Sequence, residues 1–216
     1  MKKHILIISL YLSFISCNKR VDSYIDFAEY QPLSVAEISE IPKLFFGNYI
    51  SSDSTLILME KDKIIQKWFN EDKTSISDKD SVSYITFHED YVIDNETKQK
   101  AKFITKNDSI YWKMEYSDTI FIKDEVLKFY KDALILNSNI EDRIFVAVFK
   151  KENNQIRKFS LGSKEDFEKL KKEINIEGQL NFNETDTTIT INPSRSQFRK
   201  LLKLKDFSFE TIYKKM

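Results

Sequence analysis

Cysteine occurs once in the 216 residues, at Cys17. A single thiol can make neither an intrachain disulfide nor a multi-cysteine metal site. Histidine occurs only at His4 and His88, so the HExxH zinc pattern is absent. The three glycines, Gly47, Gly162 and Gly178, each stand among non-glycines. Neither a GxGxxG turn nor a GxxxxGK[ST] phosphate loop can be written from them, which excludes the common nucleotide-binding folds. Lysine plus arginine number 34 and aspartate plus glutamate 34, for a formal charge of zero. The positive field of a typical nucleic-acid binder is missing, and no nucleic-acid partner is expected. No apolar run reaches the roughly 18 residues of a membrane-spanning helix. With 41% hydrophobic residues the chain is nonetheless too apolar for a disordered one.

What is present begins with an address. Lys2 and Lys3 precede an apolar stretch, Ile5 to Ile15, broken only by Ser9 and Ser13. Its length is that of a signal-peptide h-region and too short to span a bilayer. Phe14-Ile15-Ser16-Cys17 follows at its end.

These four residues resemble the lipobox of bacterial lipoproteins, with a small residue just before a cysteine, and the part beyond is similar to small β-rich envelope lipoproteins. The resemblance implies residues 1–16 as a signal peptide, diacylglycerol on the Cys17 sulfur, and acylation of the new amine. Two or more acyl chains anchor stably where one does not. It also implies a cell-envelope location, lipid-anchored, at the outer membrane on its periplasmic or surface face. Removal of the leader takes Lys2, Lys3 and His4, leaving two more acidic than basic side chains. A Ser-His-Asp triad would then have to use His88.

Residues 17–40 read as a tether, with basic Asn18-Lys19-Arg20 beside the lipid headgroups. Ser34 and Glu37 have capping-box spacing, and Ile38 and Ile41 follow on one face, which predicts a short helix. From Phe45 the period shortens. Apolar residues alternate or cluster in runs of five to eight, punctuated by Asp, Asn, Lys and Ser, as in strands and turns. Strands are predicted near 46–52, 54–60, 63–69, 82–88, 91–94, 99–106, 109–116, 119–123, 127–131, 133–137 and 143–150. Their short connections imply antiparallel hairpins. With glycine scarce, Asn107-Asp108, Asn137, Asn139 and Asn153-Asn154 are the expected left-handed turn positions. Ile110, Trp112, Met114 and Tyr116 share one face of their strand. In 143–150 both faces are apolar, which predicts a central strand covered on both sides.

The texture changes after 150. A strand at 156–161 precedes a helix opened by Ser163 and running to Ile174. Two strands follow at 179–183 and 187–192. Pro193 and Ser194 then open a second helix, in which Ser194 and Gln197 again have capping-box spacing. A last strand carries Phe207, Phe209 and Tyr213. The order β-α-β-β-α-β is that of a split βαβ unit. The predicted fold class is therefore α+β, mostly antiparallel β. It comprises a meander over 41–150 forming a barrel or sandwich, then a C-terminal α+β segment over 151–216.

Candidate chemistry is thin. Phe46-Gly47-Asn48-Tyr49 resembles the first-strand G-x-W signature of lipocalins, with Tyr49 in place of Trp. That resemblance implies a calycin-like barrel able to carry or sense a small apolar ligand. His88-Glu89-Asp90 could serve a metal or a general base, but falls between two strands, where polar residues are expected anyway. Asp118, Asp124 with Glu125, and Glu141 with Asp142 could supply the two carboxylates of a hydrolase, yet no spacing selects a pair. Asp80-Ser81, Asp108-Ser109 and Asp118-Thr119 resemble a short bacterial O-glycosylation motif, or are simply turn aspartates before strands. Among the aromatics, Tyr111 and Phe121 lie opposite the buried faces of their strands and are the ligand-binding candidates. No catalytic residue, metal or cofactor is expected. The composite expectation is a lipid-anchored, non-catalytic binding or assembly module with a possible envelope protein partner.

Overall fold

A computed structural model describes residues 22–182 and 186–216. The leader, the lipobox and Cys17 lie outside the described residues. The chain forms β1 (Asp22–Phe27), β2 (Gly47–Ser51), β3 (Leu56–Met59), β4 (Lys63–Ser75), β5 (Ile85–Phe87), β6 (Tyr91–Asp94), β7 (Lys100–Lys106) and β8 (Ser109–Phe121). After a single 3-10 turn, β9 (Val126–Tyr130), β10 (Ala133–Ile140), β11 (Arg143–Glu152) and β12 (Gln155–Ser160) follow. The C-terminal part contributes α1 (Lys164–Ile174), β13 (Gly178–Phe182), β14 (Asp186–Ile191), α2 (Arg195–Leu201) and β15 (Phe209–Lys215). The class is α+β and mostly β, as the periodicity predicts.

All the strands join one sheet, whose main path is β13-β14-β1-β11-β12-β15-β2-β3-β4-β8-β7-β6-β5. The sheet branches at β11. One edge of β11 holds β10 along its length, from Ala133 opposite Lys150 to Ile140 opposite Arg143, and β10 in turn holds β9. The other edge is shared: Phe27 of β1 sits opposite Ile144, and β12 takes over from Ala147 onward. β1 and β14 pair in parallel, and the other ladders are antiparallel. The sheet curls over itself without closing into a barrel, so of the two expected forms it takes the open, sandwich-like one.

The curl gives the sheet two covered faces. On one, Phe167, Leu170 and Ile174 of α1 and Phe198 and Leu201 of α2 pack on Ile25, Val146, Val148 and Phe159. On the other, Tyr49, Ile57, Met59, Leu134, Phe149 and Ile156 fill the inside of the curl. β11 thus presents Val146 and Val148 to one core and Phe149 to the other, the doubly covered central strand its composition predicts. Both helices begin where their capping boxes place them. The Ser163 side chain accepts from Asp166 N–H and the Ser194 side chain from Gln197 N–H. α1 ends at Asn175, held in the left-handed conformation at φ 54°.

Four expectations need correction. First, the tether of 17–40 is shorter than expected, because Asp22–Phe27 is a strand. Ile25 and Phe27 point into the helical core at 1% and 4% exposure, enough apolar burial to hold a six-residue strand in place. Second, no helix forms at Ser34–Ile41. Ser34 is left-handed at φ 57°, Ile38 N–H donates to Leu127 O, and Ile41 N–H donates to Lys61 O. These backbone donors find partners on β9 and on the turn between β3 and β4 instead of helical ones. Third, Asn137 and Asn139 are not turn residues but lie within β10. The tight turns there fall to Lys131-Asp132 and Glu141-Asp142, all four left-handed. Fourth, 151–216 is not set apart from 41–150. β12 pairs with β11, and β15 pairs with both β12 and β2, so the late strands complete the middle of the sheet. Within the β-α-β-β-α-β order, β1 and β11 stand between β14 and β12, where a simple split βαβ unit would pair those two directly.

Candidate functional site

β4 and β8 are both 13 residues long and pair from Lys63 opposite Phe121 to Ser75 opposite Ser109. At about 3.3 Å per residue the ladder is roughly 43 Å long. β3 covers β4 only as far as Lys67. Beyond that point β4, β8, β7, β6 and β5 form an arm with its own small core of Ile85, Val92, Ile110, Trp112 and Met114. Trp112 meets Phe87 edge-on at 5.5 Å, and Trp68 stacks on Tyr116 at 5.9 Å. The half-buried face read from Ile110, Trp112 and Met114 is thus the arm's inner face.

The outer face follows from the period of two. It carries Lys67, Phe69, Glu71 and Lys73 from β4, Tyr111, Lys113 and Glu115 from β8, and Lys100, Lys102, Ile104 and Lys106 from β7. Tyr111 and Ile104 sit directly opposite each other and are 37% and 67% exposed. With Glu71, Lys102 and Lys113 they line a shallow pocket of about 270 Å³. Lys113 Nζ lies 2.7 Å from Glu71 Oε1 and 4.8 Å from the centre of the Phe69 ring, and Lys67 Nζ lies 2.8 Å from Glu115. Exposed pairs of this kind contribute little stability. Their effect is on charge. The two glutamates offset two of the six lysines, so the face is basic although the whole chain is neutral.

Phe121 is 47% exposed, with Lys123 Nζ 5.8 Å above its ring. It lies ten residues along β8 from Tyr111, about 33 Å away. The two aromatic candidates are both exposed but do not form one platform. The tripeptide His88-Glu89-Asp90 is the turn between β5 and β6, and the His88 ring stacks on Tyr91 at 4.5 Å. Among the described residues no group of three His, Cys, Asp or Glu side chains is disposed to hold a metal. The carboxylates disperse: Glu141 and Asp142 make the β10–β11 turn, Asp124 lies in the 3-10 turn after β8, and Asp118 sits opposite Gln66. Glu125 is drawn inward, and burial raises its pKa. Gly47 and Tyr49 do open β2, and Tyr49 is fully buried with its hydroxyl on Phe45 O at 2.9 Å.

A second concave feature was not foreseen. Where the curl opens, a pocket of about 380 Å³ is lined by Asp53, Thr55, Gln66, Lys158, Glu210 and Tyr213, among others, so that two carboxylates and one ammonium share it. Lys158 reaches from β12 across the inside of the curl to donate to Gln66 Oε1 of β4 at 2.8 Å. Burial lowers the Lys158 pKa, and the Asp118 charge opposes the shift. Its only signature in sequence is a lysine between Ile156 and Ser160 on an inward-facing period of two. Comparison of the chain with protein families, with curated proteins and with solved structures finds no match.

Proposed function

We propose that this chain is a non-catalytic binding or assembly module of the cell envelope, held at a membrane by lipid on Cys17, and that the outer face of its arm receives an acidic protein partner. The observation that carries the reading is the exposed Tyr111–Ile104 pair within an excess of lysines, on a chain whose total formal charge is zero. Apolar anchors ringed by charge of one sign suit a steered protein contact. A small apolar carrier draws less support, because Phe45, Tyr49, Phe149 and Leu134 occupy the space where its ligand would sit. A carboxylate hydrolase draws less again, since the acidic candidates stand on separate elements.

The test is site-specific photo-crosslinking in intact cells, with the crosslinker at 104 or 111 in turn. A discrete protein adduct is expected from both positions, and it should weaken when Lys102→Glu and Lys106→Glu are added. Absence of an adduct, or one indifferent to the charge reversal, overturns the arm as the contact. Fractionation of a Cys17→Ser variant tests the anchor separately. The variant should leave the membrane fraction, and retention there with an intact leader overturns the address.

A further inference from the structure

The pocket at the mouth of the curl rests on different observations from the arm. β15 pairs with β2 only through Tyr213–Lys215, so from Phe209 to Ile212 it has β12 on one side and no strand on the other. Beyond Ser51 the chain turns back toward β3 through Asp53 and Thr55. The gap between that turn and β15, crossed by the hydrogen bond from Lys158 to Gln66, is the pocket.

The charges in its lining are answered by the protein itself. Asp53 accepts from the Ser51 hydroxyl and, at 3.1 Å, from Thr55 N–H, and these hydrogen bonds hold its carboxyl below the usual carboxylate range. Glu210 accepts from Arg157 at 3.2 Å and from Phe207 N–H at 3.3 Å. Burial lowers the Lys158 pKa, and the Asp118 charge supports the ammonium against it. With carboxylates and an ammonium together, the pocket is not selective for an ion of either sign.

Hydrogen-bonding capacity is left over all the same. Both bonds to Asp53 fall on Oδ1 and both to Glu210 fall on Oε2, so among the described residues the second oxygen of each carboxylate has no partner. Lys158 carries three N–H donors, and among the described residues its one acceptor is Gln66 Oε1, at 2.8 Å. Ser160, two residues along β12 and on the same face, adds a hydroxyl that can donate or accept. Phe209 stands in the lining with 62% of its surface exposed, a flat apolar face at the rim. Free acceptors, free donors and an apolar face in one pocket, with no net charge on offer, match a neutral ligand of a definite kind. Its neighbouring groups must each donate and accept, and it must have an apolar face of its own. Adjacent hydroxyls on a saturated ring meet these conditions.

We infer that this pocket binds one pyranose ring of a neutral sugar, with Asp53 and Glu210 accepting from its hydroxyls, Lys158 and Ser160 donating to them, and Phe209 against its C–H face. The volume of about 380 Å³ lies in the range of small-molecule sites.

The experiment is titration of the full chain, in a detergent without a sugar headgroup, with glucose, galactose, mannose and N-acetylglucosamine in turn, followed by backbone amide shifts. Glycerol, which has adjacent hydroxyls without the ring, and sodium chloride are the controls. Saturable shifts are expected at Asp53, Thr55, Ser160 and Thr211 with at least one of the four sugars. Asp53→Asn keeps the side-chain shape and an acceptor for its turn, and should weaken that binding by about tenfold to a hundredfold, the loss of a hydrogen bond to a charged acceptor. Phe209→Ala, at an exposed position, should weaken it by about twofold to tenfold. No saturable shift at these positions with any of the four, shifts reproduced by glycerol or sodium chloride, shifts confined to the arm, or unchanged affinity in both variants each overturn the inference. Should Asp53→Asn fail to fold, Phe209→Ala decides alone. The arm reading is untouched by either result, because its crosslinks lie on β7 and β8.

Discussion

Arg157 offers the sharpest test of how the C-terminal segment is held. It is 2% exposed on β12, and its guanidinium fans out over three directions. One amino group donates to Leu204 O at 2.8 Å and to Glu210 at 3.2 Å, and the other donates to Leu202 O at 3.0 Å. The guanidinium also lies 4.4 Å from the Phe159 ring centre, and its Nε is 3.6 Å from Glu152. It thereby pins the end of α2 to the sheet. Arg157→Ala removes all of this at once and leaves the Glu210 side chain, only 13% exposed, without its counter-charge. Breaking a buried pair from one side costs about 3–5 kcal/mol. At roughly 2–4 °C per kcal/mol for a chain of this size, Tm should fall by about 6–20 °C. Thermal unfolding followed by circular dichroism measures it. Adding Glu210→Gln should then recover part of the loss, because the stranded charge is gone. A fall of less than about 2 °C, or no recovery in the double variant, refutes the assignment of Arg157 as the clamp between α2 and the sheet.

Asn137 is 1% exposed and acts as a stand-in for backbone. Its Oδ1 accepts from Gln31 N–H at 2.7 Å, and its Nδ2 donates to Gln31 O at 2.9 Å. Asn137→Ala should cost about 2–4 kcal/mol in chemical denaturation and speed hydrogen exchange at the Gln31 amide. Gly178 and Gly162 should respond differently to alanine. A Cβ at 178 would meet buried Phe167 at 2.7 Å and Ile189 at 2.9 Å, so Gly178→Ala should lose about 1–3 kcal/mol. A Cβ at 162 would meet only the Phe209 ring, which is 62% exposed and free to swing, so Gly162→Ala should lose under about 1 kcal/mol. Glu125 has a pKa raised first by burial, with Asp124 adding to it and Ser138 opposing it. A carboxyl raised on folding favours the folded state most at low pH, and loses that contribution as pH climbs from the ordinary value of 4.5 through the raised one. Glu125→Gln should therefore gain stability over the wild type at neutral pH and show no advantage below pH 4.5, by paired melts across that range.

The sequence made the helices legible because their signals are local. Ser163 with Asp166, and Ser194 with Gln197, satisfy helix donors within three residues of chain. The hairpin strands were legible for a similar reason, since Ile110, Trp112 and Met114 declare a period of two on their own. The far half of β4 was not. Asn70-Glu-Asp-Lys-Thr-Ser75 is polar throughout, and only the partner strand, with Asp72 opposite Trp112 and Lys73 opposite Tyr111, makes it a strand. β1 was hidden likewise, because its stability comes from β14 and the helical core, more than a hundred residues away. Tyr111 and Phe121 were rightly read as exposed, but the distance between them needs the unbroken length of β8. Lys158 was invisible because its partner Gln66 is separated from it by 92 positions and meets it only when the sheet curls.

The early start of β1 sets a leash. From Cys17 to Asp22 is five peptide steps, which even fully stretched reach no further than about 18 Å. Under the proposed acylation, the limb of the sheet carrying β1 and β14 would therefore ride close to the lipid headgroups. Lengthening the leash by inserted residues should loosen that hold and let the sheet stand further from the bilayer.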